Sequence, residues 1–373
     1  MGRKRTLRPS RRSWQWRCRR RISRRHKATR LGSRQMSAFA SHSANANYLP
    51  PSAQLMQLSL GHYAARCLHI VANAGIADHI DDTPRTSAAI AADAKVNADA
   101  VHRILRLLAM HGLFEYEAGG WRHTPASELL RSDHPMSMRA FAAMIGDPMN
   151  WQALAVLEHS LRTGAPAAEQ VHRGGIWGYY AEHPELARQF DAAMTGKSHG
   201  DIQSLLQALD VKGVKTVADI AGGRGHLLRA ILDAHPNING ILFDQPDVVA
   251  NAIEHPRMTK IGGDFFKPGL PSADLYLLTN IIHDWADAES LSILKNLRAS
   301  APSGARLVVF ELALPDGPEP HPAKTLDVLM LAITGGRERT AREYAALFTA
   351  SGWAEAGVIP TQGPLALHMA QAA

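Results

Sequence analysis

The sequence predicts an α/β chain in two halves: a mostly helical N-terminal half that contains a winged-helix unit, and a C-terminal half built as a doubly wound parallel sheet. Three observations carry this. Apolar residues recur at helical spacing from Ser52 to about Ala192, a helix, break, helix and hairpin pattern runs from Ser87 to Thr124, and after Leu209 short apolar strands alternate with helical stretches. The chain has 373 residues, more than one ordinary domain. With 46% hydrophobic and 20% charged residues it has material for a sizeable core, and disorder of the whole chain is excluded.

The organisation expected is a basic arm over residues 1–36, a helical half over 37–195 and an α/β half over 196–373. The formal net charge of +7 hides two unlike parts. Fifteen of the 41 cations lie in residues 1–36, with no Asp or Glu among them, so the remaining 26 face all 34 acids and leave the body at −8. An arm of this charge density repels itself and is read as disordered. Three readings of it stay open: a solvated tail, a targeting or nucleic-acid segment, or upstream sequence translated from an early start codon, since Met36 begins an ordinary Ser-Ala-rich lead-in. Ser10-Arg11-Arg12 has the look of a twin-arginine signal, but no apolar stretch follows it. No run of 18 apolar residues predicts a membrane span, and of the two cysteines only Cys67 lies in the body, which excludes an internal disulfide or a Cys-based zinc site there. The expected compartment is the reducing cytoplasm.

In the helical half, Leu55, Leu58, Ala65, Leu68 and Val71 mark one helix. Ser87 to Ala92 and Ala98 to His111 are two more, with Asn97 as N-cap and Gly112 as terminator of the second. Phe114 to Tyr116, a Gly119-Gly120 turn and Trp121 to Thr124 form the hairpin. The second helix offers His102, Arg103 and Arg106 as a DNA-reading face. It is otherwise apolar and sits in an acidic body, so packing or dimerisation is the preferred role and a DNA-binding regulator the alternative.

In the α/β half, Val214 to Ala221, Gly240 to Asp244, Asp274 to Asn280 and Arg306 to Glu311 are the strands, with helices at Leu227 to Ala234 and Asp287 to Ala299. Trp353 to Ile359 and Leu365 to Met369 form a closing antiparallel hairpin.

The first strand leads into Ala221-Gly222-Gly223-Arg224-Gly225, a turn where the backbone approaches a ligand closely. Asp244, 19 residues past Gly225, ends the next strand, where a carboxylate grips a ribose diol. A dinucleotide fingerprint needs glycine at 228, which is leucine, and Asp219 at the strand end suits a cation rather than a pyrophosphate. The pattern favours a sulfonium nucleoside. Asp264, after Gly262-Gly263, ends a third strand, and Phe265 supplies a flat face for adenine. A glycine turn that merely closes a strand-helix contact is the plainer alternative for the loop.

Asp219 to Gly225, Phe243-Asp244-Gln245-Pro246, Gly263-Asp264-Phe265-Phe266, Asn280 to Trp285 and Gly335-Gly336-Arg337-Glu338-Arg339-Thr340 occur together in one order and spacing. In this the chain, from about Ser52 to its C-terminus, resembles the S-adenosylmethionine-dependent small-molecule O-methyltransferases, both the plant caffeate, flavonoid and acetylserotonin branch and the bacterial pigment and antibiotic branch. The resemblance implies a class I methyltransferase Rossmann-like fold, a winged-helix domain that builds a homodimer, S-adenosyl-L-methionine as cofactor with S-adenosyl-L-homocysteine as product, and no metal. It implies that Asp244 holds the ribose, that Asp264 and Phe265 meet the adenine, and that Asp219, Gly222, Gly223 and Gly225 surround the methionine part, with Ser198 also near the cofactor. Two positions depart from the pattern: Ala221 replaces a usual glycine, and Thr279 stands where Lys or Arg is common.

Methyl transfer requires alignment and removal of the acceptor proton. A phenol with pKa of about 10 needs a base, and imidazole is suited to it. Among 19 histidines, His283 follows the apolar strand and faces the crevice of the three acids. Glu311 and Glu338 match the family's two glutamates flanking the histidine and are the expected holders of its second nitrogen. For each, an ordinary surface acid is the plainer alternative, and Glu338 would then pair with Arg337 or Arg339. Asp284, the base's neighbour, is expected to point elsewhere. The acceptor pocket is assigned to Met144, Trp151, Phe190, Met194, Met330 and Ile333, whose character predicts a flat, apolar aromatic or polyketide-like acceptor. The alternatives are a relative that methylates nitrogen or has lost transfer, and the regulator named above.

Overall fold

The computed structural model describes residues 50–373, with the side chains of residues 198 and 199 excepted. The basic arm of residues 1–36 and the side chain of Ser198 therefore lie outside the described residues.

Among the described residues the strands are β1 (Glu115–Glu117), β2 (Gly120–Arg122), β3 (Thr216–Ile220), β4 (Asn239–Asp244), β5 (Met258–Gly262), β6 (Leu275–Thr279), β7 (Arg306–Leu312), β8 (Trp353–Pro360) and β9 (Leu365–Ala372). The last seven form one sheet of order β5-β4-β3-β6-β7-β9-β8. β5, β4, β3, β6 and β7 are mutually parallel, and β9 runs antiparallel to both β7 and β8, which is the closing hairpin read from the sequence.

Alternate residues of each strand enter two separate cores. Ala218 and Ile220 of β3 meet Ile293, Leu294 and Leu297 of helix Asp287–Ser300 and Tyr344 and Phe348 of helix Ala341–Ala350. Val217 packs with Leu205 of helix Pro184–Ala208 and with Leu228, Ile231 and Leu232 of helix His226–Ala234. With both faces covered, the strands must be apolar throughout, which is why they read as continuous runs rather than alternations. The chain runs outward from β3 to β4 and β5, then crosses back to β6 and β7. The carboxyl ends of β3 and β6 thus flank a topological switch point, where open sheets of this kind hold ligands.

The helical half is built on a third core. Val71 of helix Pro51–Asn73, Ile90 of helix Ser87–Ala94 and Val101, Leu105 and Leu108 of helix Ala98–Ala109 close over Phe114 and Trp121. Asn97 caps as expected, its Oδ1 accepting the Ala100 N–H at 3.0 Å. The hairpin turn is a correction: it falls at Ala118-Gly119, both at positive φ (49° and 82°), and not at Gly119-Gly120. A two-residue turn of this hand needs both residues there. Gly120 serves another purpose, since a Cβ on it would lie 2.7 Å from the Pro84 carbonyl carbon, where Arg85 pairs with Trp121 in a single antiparallel bridge. His102, a candidate base-reading side chain, lies against the rings of Tyr116 and Trp121 and bonds Ser87 Oγ at 3.2 Å.

Helix Pro184–Ala208 runs continuously through residues 195 and 196, where the sequence divides the two halves. Among the described residues no helix is long and apolar enough to cross a membrane.

Candidate active site

At the end of β3 the backbone turns through Ala221 (φ 55°), Gly223 (φ 60°) and Gly225 (φ 82°) into helix His226–Ala234. Gly222 is compulsory, because a Cβ there would lie 2.5 Å from Asp219 Oδ2 and 2.7 Å from Leu242 Cδ1. Gly223 is open on its Cβ side. Asp244, at the end of β4, accepts the N–H of Gly223 at 2.8 Å through Oδ2 and of Gln245 at 2.7 Å through Oδ1. The carboxylate thereby ties the glycine turn to the neighbouring strand.

Asp219 is 1% exposed, and its Oδ2 has no hydrogen-bond partner among the described residues. Burial, and then the nearby charge of Asp244, push its carboxyl up to about 7. Burial also raises Asp244 and Asp191. A buried acceptor without a donor, beside other acids and an open glycine turn, fits a ligand that brings N–H donors and positive charge. It does not fit a pyrophosphate. Thr279 Oγ1, at the end of β6, is also buried without a partner, so the position where Lys or Arg was expected holds a neutral, unsatisfied hydroxyl. Asp264 is more exposed: its Oδ1 accepts the Phe266 N–H at 2.9 Å, and its Oδ2 lies 3.5 Å from Lys267 Nζ. Phe265 is half-buried and meets Trp285 edge-on at 5.9 Å.

The second part of the site is the turn after β6. Asn280 takes the left-handed conformation (φ 53°), and a single helical turn, Ile282–Asp284, carries His283 into a buried position. Nδ1–H of His283 donates to Glu338 Oε1 at 2.8 Å, which leaves Nε2 as the nitrogen free to accept a proton. Glu338 is 1% exposed, and Asp327 Oδ1 accepts its backbone N–H at 3.0 Å. It is no surface acid, and it is not paired with its arginine neighbours. Arg337 reaches toward Asp287 and Glu343, both at 3.7 Å. Arg339, fully buried, donates to the carbonyls of Ile282 (3.0 Å) and Trp285 (2.9 Å) and to Asp287 Oδ1 (2.8 Å).

Glu311 lies near enough for its charge to act on His283, but it does not hold the second nitrogen. Its Oε1 accepts the backbone N–H of Ile281 (2.8 Å) and Ile282 (2.6 Å), and its Oε2 accepts the Tyr344 hydroxyl, so its bonds go to the turn and not to the imidazole. Asp284 was expected to point away from the base. The tight turn instead folds it back, with Oδ1 3.9 Å from His283 Nε2, and burial, opposed by the His283 charge and aided by Glu311 and Glu338, leaves its carboxyl raised to about 6. For His283 burial opposes the imidazolium, but the Glu338 bond and the charges of Asp284, Glu311 and Glu338 outweigh it and push the ring up to about 9. Gly336 completes the turn: a Cβ on it would lie 2.0 Å from the His283 carbonyl oxygen, to which Arg337 N–H donates at 2.8 Å.

Of the pocket residues, Phe190 and Ile333 share one apolar cluster with Met149, Ile176 and Tyr180. Met194 follows Phe190 by one turn of its helix, and Met330 precedes Ile333 on helix Pro322–Ile333. Met144 is buried at the end of helix Arg139–Ile145. Trp151 is tied to the first helix, its indole N–H 3.4 Å from His69 Nδ1 and the Arg66 guanidinium 5.3 Å from its ring centre. Arg339, Tyr344 and Asp284 are what sequence reading missed or set aside. Arg339 stands inside a quoted motif and Asp284 beside the base, but nothing in the sequence signals that Tyr344 is polar-bonded rather than plain core.

Residues 154–354 match the family model of the O-methyltransferase domain, and residues 56–133 that of the O-methyltransferase dimerisation domain. The chain is 39% identical over 330 residues to a phenazine O-methyltransferase of Lysobacter antibioticus, covering 86% of this chain and 96% of that protein. The crystal structure of LaPhzM superposes with a TM-score of 0.80 at 39% identity, covering 87% of this chain and all of the other. The S-adenosylhomocysteine-bound form of CalO1, a methyltransferase of calicheamicin biosynthesis, superposes with a TM-score of 0.79 at 33% identity, covering 86% and 98%.

Proposed function

The chain belongs to the O-methyltransferase family with its dimerisation domain, and from that premise we propose that it is a homodimer that moves a methyl group from S-adenosylmethionine to a hydroxyl of an aromatic or polyketide-like small molecule, with His283 as general base. S-adenosylmethionine use is supported by the S-adenosylhomocysteine held by a structural relative. It is also supported by the orphaned acceptor of Asp219, which suits the cofactor's ammonium group. When bound, the cofactor supplies an electrophilic methyl and a good leaving group. In this reading residues 37–195 form the dimerising half and 196–373 the catalytic half.

The residues divide the remaining work. Asp244 holds the ribose hydroxyls while its other contacts keep the glycine turn closed, Asp264 and Phe265 border the adenine, and Asp219 takes the ammonium. Phe190 and Ile333, which share one apolar cluster, form the wall for the acceptor together with Met194 and Met330 from the same two helices. His283 removes the hydroxyl proton through Nε2, and the positive charge it gains is balanced by Glu338 on the other nitrogen.

The observation that carries the reading is the buried 2.8 Å His283–Glu338 bond. An ordinary imidazolium is more acidic than a phenol by roughly 3.5 units, an uphill transfer of about 5 kcal/mol. With its pKa pushed up to about 9, His283 comes within about one unit of the phenol, and the transfer becomes nearly balanced.

The test has two arms. Calorimetry with S-adenosylhomocysteine is expected to show binding, and absence of heat would end the proposal. His283→Ala is expected to keep that binding and lose roughly 100-fold or more of turnover on a panel of phenolic metabolites that includes a hydroxyphenazine. Undiminished turnover would remove the histidine from the chemistry.

A further inference from the structure

The turn that carries His283 is held by contacts of its own, apart from the Glu338 bond to the imidazole. Asn280 stands at φ 53°, a left-handed turn conformation that asparagine tolerates better than most non-glycine residues. Directly after it, two successive backbone N–H groups, of Ile281 and Ile282, converge on one oxygen of Glu311. Glu311 is fully buried at the end of β7, and its other oxygen accepts the hydroxyl of Tyr344 from helix Ala341–Ala350. The Tyr344 ring is buried in turn, with His368 of β9 packed 4.2 Å from it, centre to centre. Strand β7, helix Ala341–Ala350 and the His283 turn thus meet at one carboxylate.

Resting on the reading of His283 as the base, we propose that Tyr344 is a positioning residue for the reaction: through Glu311 it fixes the Asn280–Ile282 backbone and so aims the imidazole. Glu311 makes its hydrogen bonds to the backbone of the turn, and on the imidazole itself it acts by charge and not by a bond. A carboxylate accepting from three donors has little freedom to rotate, and removal of the phenolic donor leaves one oxygen buried without a partner. The carboxylate then shifts toward other donors, and the two N–H groups that pin the turn loosen with it. Replacement by Phe preserves the ring that packs in the core, so the loss is of the hydrogen bond alone.

The experiment uses the full chain and Tyr344→Phe. Hydrogen–deuterium exchange is followed on the peptide that covers residues 278–286, without any ligand. Turnover is followed with the best phenol of the panel, in the wild-type and His283→Ala backgrounds. Loss of one hydrogen bond to a charged group is expected to speed exchange of the Ile281 and Ile282 amides about tenfold, and to lower kcat about tenfold with little change in KM. In the His283→Ala background the kcat effect should vanish, because Tyr344 then has no base to aim. Unchanged exchange in this peptide overturns the proposal, as does an equal loss of kcat in both backgrounds, which would mark a merely structural role. Full activity of His283→Ala would instead overturn the reading of the base, while the exchange result would still report whether Tyr344 holds the turn.

Discussion

His283 Nδ1 and Glu338 Oε1 lie 2.8 Å apart, joined across 55 residues of sequence, and this bond decides which imidazole nitrogen is free and how basic it is. With the ring pushed up to about 9, most of the ligand-free protein carries an imidazolium at pH 7. The rate at low acceptor concentration is therefore expected to rise with pH, with an inflection above 7. Glu338→Gln should move that inflection toward about 6.5 and lower kcat roughly 10- to 100-fold. A pH-rate series on both proteins checks this, and an unmoved inflection counts against the pairing.

The same shift predicts a stability trend. The folded pKa of His283 lies above the unfolded value of about 6.5, so its contribution is complete below that pH and is lost as pH rises through 9. Asp219 acts in the same direction at lower pH, because an acid raised to about 7 makes ionisation oppose folding between about 4 and 7. Melting temperature of the ligand-free protein should fall steadily from pH 5 to pH 9.

Asp219→Asn separates stability from binding. At pH 8 the wild type buries an ionised carboxylate with an unpartnered oxygen, whereas the amide buries an unpartnered polar atom without charge. The variant is expected to gain about 1–3 kcal/mol of ligand-free stability at that pH, and to bind S-adenosylhomocysteine at least about tenfold more weakly. Denaturant melts and calorimetry on the same preparations measure both.

Ala221 holds φ 55° at a position where the family commonly has glycine. The left-handed conformation costs an alanine about 1–2 kcal/mol, and glycine's greater freedom in the unfolded chain returns about 0.4–1 of this. Ala221→Gly should therefore stabilise by about 0.5–1 kcal/mol, seen as a higher denaturation midpoint with an unchanged slope.

Arg339 joins Ile282, Trp285 and Asp287 through a planar fork. Arg339→Met removes the guanidinium from two carbonyls, leaving Ile282 O with the Trp285 N–H at 3.2 Å and Trp285 O with the Ser290 hydroxyl at 3.3 Å, and is expected to destabilise by about 1–3 kcal/mol. Arg339→Lys should recover only part of this, since an ammonium cannot reproduce the fork. Chemical denaturation of the three proteins reads the difference.

Much of the architecture was legible because it rests on local pattern. Apolar runs marked β3, β4, β6 and β7 to within about two residues, Asn97 was read as a cap from its residue type, and the glycine turn after β3 was visible in composition. The hairpin turn was misplaced by one residue because two adjacent glycines satisfy the same rule, and only the approach of Pro84 to Gly120 distinguishes them. Glu311, Asp284 and Tyr344 were misjudged or missed for a shared reason: each one's role depends on which backbone group or ring lies opposite it, and sequence spacing carries no such information.

The sequence by itself determined the kind of protein: two halves, an acidic body behind a basic arm, a sheet whose strand ends carry acids and glycines, and a histidine after an apolar strand. Those features are set by residue type and short-range spacing. Only the tertiary structure decided that Glu338 and not Glu311 bonds the imidazole, that Glu311 and Arg339 hold the turn from two sides, and that Asp219 is buried with an acceptor to spare. The reason is that hydrogen bonds and desolvation act between groups brought together from distant parts of the chain. Their energies exist only once the sheet and its covering helices have closed around them.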